Sequence, residues 1–219
     1  MPGYGKSEPL DHLDFPNLAQ CLSNLISHLS IEKVVLVGHS MGGMIAQTWA
    51  AANQAKCDKM VLAQTSPAFG KPGSSWNKRF LAERLKPIEQ GHEPARFARS
   101  LVQSMFFDQN KIQEISVAVC SMSAISSHLY RQMLECLVTF DFRNQLSSLS
   151  MPTLCIAGEE DSTAPPKMVQ EMSEKISNSE FKCIEQTGHL AYMEQPDSFN
   201  DILLRFLTDT LPEDGLDHE

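Results

Sequence analysis

The chain has 219 residues with 42% hydrophobic content, enough to bury a substantial core in one domain that carries an insertion. Lys and Arg number 18 against 27 Asp and Glu, and the formal charge of -9 excludes nucleic acid or an anionic membrane as the main partner. No window reaches the roughly 20 apolar residues of a membrane span, and no charged-then-apolar leader opens the sequence.

Leu18, Cys21, Leu22, Leu25, Ile26 and Leu29 repeat at helical spacing behind Asp14 and Pro16, which are start signals for a helix. The apolar run Val34-Val35-Leu36-Val37 predicts a strand over 34–38. A helix follows from Ser40 to about Asn53, then a strand from Met60 to Gln64. From 68 to 148 the rhythm changes to helix after helix, with segments near 76–89, 94–106, 110–122 and 127–139. Strand signals return at Thr153-Leu154-Cys155-Ile156-Ala157 and Phe181-Lys182-Cys183-Ile184-Glu185. Met168, Val169, Met172 and Ile176 mark a helix between them, and Phe199, Ile202, Leu203, Phe206 and Leu207 mark the last one. The acidic segment Pro212 to Glu219 reads as a frayed tail. Strands alternating with helices imply right-handed crossovers and a parallel sheet of about four strands. Cysteines at 21, 57, 120, 136, 155 and 183 are widely spaced in mostly apolar settings, which favours buried thiols and a reducing, cytoplasmic location.

The chemistry-bearing residues sit at the C-terminal ends of these strands. Gly38-His39-Ser40-Met41-Gly42 places a serine between strand and helix, where its hydroxyl stands clear of the backbone, and the two glycines allow strand and helix to approach closely. Gly158-Glu159-Glu160-Asp161 puts three carboxylates in the loop after the 153–157 strand, and Gln186-Thr187-Gly188-His189 follows the 181–185 strand. In a parallel sheet these loops share one edge, so Ser40, a carboxylate and His189 can meet there. His39 reads as structural beside the turn, and His12, His28, His92, His128 and His218 as solvated or packed.

The order Ser, Asp, His and these motifs resemble the α/β-hydrolase family over nearly the whole chain. Ile31 to Gly43 is similar to its nucleophile elbow, Pro152 to Pro166 to its acid strand and loop, and Gly188-His189 to its histidine loop. Pro2-Gly3-Tyr4-Gly5-Lys6-Ser7 is similar to its P-G-x-G-x-S loop. Leu62-Ala63-Gln64-Thr65-Ser66-Pro67-Ala68-Phe69-Gly70 gives a texture most like the 3-oxoadipate enol-lactonase group. The resemblance implies hydrolase core over 1–67 and 149–211, a helical cap over 68–148 and a tail at 212–219. It selects Asp161 over Glu159 and Glu160, because Asp161 holds the family's G-x-x-D position. It also implies strands ahead of Pro2, so the sequence is expected to be a piece of a longer protein or a shortened isoform. Without those strands the 34–38 strand would be an open edge, through which two copies could associate.

The implied activity is hydrolysis of a small carboxylic ester or lactone. Ser40 is the nucleophile, His189 the base, Asp161 the group that orients it, and the Met41 N–H an oxyanion donor, with no metal or organic cofactor required. Two alternatives stay open: hydrolysis of carbon–carbon bonds in ring-cleavage products, and a catalytically silent scaffold or interaction protein. Met105, Phe106, Phe107, Met122 and Met133 are candidates to line a pocket under the cap, with plain packing the competing reading for each. Arg131 is a candidate to hold a substrate carboxylate, against a solvated helix position. Gly5-Lys6-Ser7 lacks the earlier glycine of a phosphate loop, and His92-Glu93 lacks the second histidine of a zinc motif.

Overall fold

A computed structural model describes residues 1–208; the predicted tail lies outside the described residues. Four parallel strands, β1 (Val34–His39), β2 (Cys57–Ala63), β3 (Thr153–Gly158) and β4 (Ser179–Ile184), form one sheet in the order β1-β2-β3-β4. The helices are α1 (Phe15–His28), α2 (Met41–Ala52), α3 (Ser75–Glu89), α4 (Pro94–Gln103), α5 (Ile112–Ser123), α6 (Ser127–Leu137), α7 (Pro166–Ser173), α8 (Ala191–Glu194) and α9 (Pro196–Thr208).

The capping chemistry is local. Asp14 Oδ1 accepts from the Asn17 N–H at 2.7 Å and Pro16 occupies the first turn, which together fix the start of α1. Strand alternation then divides the core. Met60, Leu62, Cys155 and Ala157 face α1, α2 and α7 on one side of the sheet. Val61, Ala63, Leu154 and Ile156 face α8 and α9 on the other. Both faces are covered over β3 and over β2 from Met60 on, so these stretches read as apolar runs and not as alternating ones. Full burial of each Val, Leu, Ile or Met among these contributes about 1.5–3 kcal/mol.

β1 differs. Val34 and Leu36 pack inward, but Val35 and Val37 are 44% and 51% exposed, because α9 does not reach across to them. The outer edge of β1 has no strand partner among the described residues. The edge expected to permit association of two copies is therefore open.

β2 begins earlier and ends one residue sooner than the pattern predicts. Gln64 turns the chain out of the sheet at a φ of 42°, a backbone choice that hydrophobicity does not report. The short helix α8, directly after His189, was not predicted; four residues are too few to show a helical period. Between β2 and β3 the chain runs through α3 to α6, and the ends of that excursion are tied by an antiparallel bridge between Ala68 and Asp141.

Three of the six cysteines, Cys57, Cys136 and Cys155, are buried, which pushes their thiols up to about 11, 11 and 12. Cys120 and Cys183 are exposed, contrary to the apolar reading of their surroundings: they lie on the solvent-facing sides of α5 and β4, while their apolar neighbours Val119 and Ile184 pack inward. Among the described residues no helix is long and apolar enough to cross a membrane.

Candidate active site

Ser40 lies at the junction of β1 and α2 with φ 50° and ψ -122°, a left-handed conformation that few non-glycine residues hold without support. Two contacts, one to the end of β2 and one to the loop just after it, supply it. The Ser40 N–H donates to the Ala63 carbonyl at 3.0 Å, and the Thr65 hydroxyl donates to the Ser40 carbonyl at 2.6 Å.

The glycines divide the work differently from the motif reading. A Cβ on Gly38 would lie 2.6 Å from the Gly42 carbonyl oxygen, and one on Gly43 would lie 2.6 Å from Thr65 Cγ2. A Cβ on Gly42 would meet nothing. Close approach is therefore enforced at Gly38 and Gly43, and the motif's second glycine is not the constrained one. The Met41 N–H heads α2 and has no acceptor among the described residues, leaving a donor supported by the helix dipole.

Gly158 brings the other two loops together. A side chain there would collide with the Gly188 and Thr187 carbonyl oxygens, so the loops after β3 and β4 touch only because it is glycine. Asp161 and His189 are 3% and 4% exposed, whereas Glu159 and Glu160 face solvent. Asp161 Oδ1 accepts from the N–H groups of Thr163 at 2.7 Å and Ala164 at 3.0 Å, which aims Oδ2 at His189 Nδ1, 2.8 Å away. A carboxylate can only accept, so Nδ1 carries the proton and Nε2 accepts from the Ser40 hydroxyl at 2.9 Å. The three residues expected to converge are thus joined in one hydrogen-bonded chain. Such a chain can remove the serine proton as the oxygen attacks an electrophile.

His39 packs beside them and donates from Nε2 to the His189 carbonyl at 2.7 Å, its ring 4.9 Å from that of His189. Burial, and secondarily the neighbouring His189, lower its imidazole from 6.5 to about 4. An unfolded chain therefore binds a proton at His39 that the folded chain refuses. This contribution is whole above pH 6.5 and is lost as pH falls towards about 4. It amounts to at most about 3 kcal/mol. Urea unfolding across that window is expected to show a shallower acid loss of stability in His39→Asn than in the unmodified chain; parallel slopes would contradict this.

A cavity of about 430 Å³ opens onto Ser40 and His189. Met105, Met122 and Met133 line it, as the sequence allowed. Phe106 packs instead among Val102, Ile115 and Leu190, and Phe107 is 47% exposed. Arg131 is not in the wall; it lies 3.9 Å from Glu135 one helical turn on. Arg84, which the sequence did not single out, lines the cavity with its guanidinium 5.6 Å from the centre of the Phe80 ring. Also missed was Glu194, a carboxylate only 1% exposed beside the histidine loop. Among the described residues no group of three or more His, Cys, Asp or Glu side chains is placed to hold a metal ion.

Comparison with known proteins gives a consistent picture. The family profile described as alpha/beta hydrolase fold matches residues 1–196. The AB hydrolase superfamily protein YisY of Bacillus subtilis is 28% identical, over 94% of this chain and 78% of that protein. 3-Oxoadipate enol-lactonase 1 of Acinetobacter baylyi is 27% identical, over 94% of this chain and 75% of that protein. The solved structure of an esterase from Exiguobacterium antarcticum superposes with a TM-score of 0.84 at 22% identity, covering 94% of this chain and 78% of the other.

Proposed function

Because the chain belongs to the alpha/beta hydrolase fold family, we propose that it hydrolyses a small carboxylic ester or lactone through an acyl-enzyme formed on Ser40. The observation that carries this reading is the Ser40–His189–Asp161 hydrogen-bond chain at the mouth of a mostly apolar cavity. Relatives named as lactonase and as methyl ester esterase support the same reaction class.

Ser40 Oγ attacks the carbonyl carbon while His189 Nε2 takes its proton. Asp161 holds the imidazole tautomer and stabilises the imidazolium. The negative charge that develops on the carbonyl oxygen is met by the Met41 N–H. Collapse of the tetrahedral intermediate expels the alcohol, which takes the proton back from His189. Water, deprotonated by His189, then releases the acid. The segment 68–148 acts as a cap, its Met105, Met122 and Met133 shaping an apolar acyl site. The reaction requires no metal or organic cofactor.

Assays of the protein on short-chain esters and lactones, run in parallel with vinylogous diketo acids, test the reaction type. Turnover of esters or lactones alone is expected. Turnover of the diketo acids alone would replace this reading with carbon–carbon bond hydrolysis.

A further inference from the structure

Glu194 ends α8, five residues after His189, and is almost wholly removed from solvent. No ion pair reaches it among the described residues; its charge is met by three backbone donors. Oε1 accepts from the N–H groups of Phe107 and Asp108, each at 2.8 Å, and Oε2 accepts from the N–H of Gly188. One side chain therefore clasps the loop that carries the histidine to a segment more than eighty residues away in sequence. The clasp continues through the main chain, because the His189 N–H donates to the Met105 carbonyl at 2.7 Å. The fit is tight: a Cβ on Gly188 would run into that carbonyl oxygen and lie 3.0 Å from the Phe107 nitrogen. Met105 itself lines the cavity onto which Ser40 opens.

We propose that Glu194 is a positioning residue, which fixes His189 against the 105–108 segment so that the imidazole meets Ser40 in line. The proposal rests on Ser40 being the nucleophile. The backbone around the imidazole is held at three points: the Gly188 N–H by Glu194, the His189 N–H by Met105, and the His189 carbonyl by His39. Of these, the Met105 contact and Glu194 both join the histidine loop to the 105–108 segment, and Glu194 is the one that does so through a side chain. A glutamine in its place keeps the shape but has one acceptor oxygen, so its NH₂ must oppose at least one of the three N–H groups. The loops then separate, and a displacement on the order of 1 Å at the base costs about 100-fold in rate.

The test is inactivation of the full chain by a fluorophosphonate, separated into the reversible constant KI and the rate kinact, alongside the proton NMR signal of the His189 Nδ1–H. In folded Glu194→Gln, kinact is expected to fall about 10- to 100-fold with KI within about twofold, and the imidazole signal to weaken. Gly188→Ala, which wedges the same loops apart while keeping the carboxylate, is expected to do likewise. That separates positioning from loss of charge, and it decides the matter if Glu194→Gln does not fold. Unmodified kinact in either folded variant overturns the proposal. If the unmodified chain is not labelled at Ser40, the hydrolase reading fails separately; an unchanged Nδ1–H signal in Glu194→Gln would then overturn the positioning role.

Discussion

Ser40→Ala is expected to lower turnover of a p-nitrophenyl ester by about 10⁴- to 10⁶-fold, the scale seen when a hydrolase loses its attacking oxygen. The fold should survive. Alanine keeps the Cβ, so the left-handed backbone of residue 40 is no more strained than with serine. The Thr65 hydroxyl bonds to the main-chain carbonyl of residue 40, which the substitution leaves in place. What is lost is one hydrogen bond to His189, worth about 1 kcal/mol net. Near-unchanged thermal unfolding with abolished turnover is therefore the expected pair of results. Turnover within tenfold of the unmodified chain would mean that Ser40 is not the attacking group.

Asp161→Asn should lower turnover about 10⁴-fold with the structure intact, and the loop geometry gives the reason. Two backbone N–H groups, those of Thr163 and Ala164, converge on Oδ1. An asparagine must leave its oxygen there, because an NH₂ facing two N–H groups would pair with neither. The amide NH₂ is then aimed at His189 Nδ1, where it can only donate. The imidazole is forced into the other tautomer, with its proton on Nε2 facing Ser40 and no lone pair to receive the serine proton. Steady-state kinetics with ester substrate checks this; a loss of less than about tenfold would mean that Asp161 does not set the tautomer.

The legible part of this protein was what repeats or stands in a motif. The apolar runs of β1 and β3 and the helical spacing of α1 and α9 located the sheet and its layers. Ser40, Asp161 and His189 each follow a strand, so parallel pairing alone brings their loops to one edge. The features that were not legible are contacts between distant segments. Gly43, not Gly42, is constrained because of Thr65, in the loop just after β2. Glu194 looks like an ordinary charge at the end of a short apolar stretch, and its partners Phe107 and Asp108 lie 87 and 86 residues away. Arg84 enters the cavity wall, and Arg131 does not, through the packing of α3 against α6, which no periodicity within either helix encodes.

The central claim, that Ser40 is an activated nucleophile in this chain, is tested most directly by treating the folded protein with a fluorophosphonate and mapping the adduct by peptide mass spectrometry. A single adduct on Ser40, absent from Ser40→Ala and His189→Ala, is the expected result. Folded protein that takes no label at Ser40 would contradict the account and leave a catalytically silent hydrolase scaffold in its place.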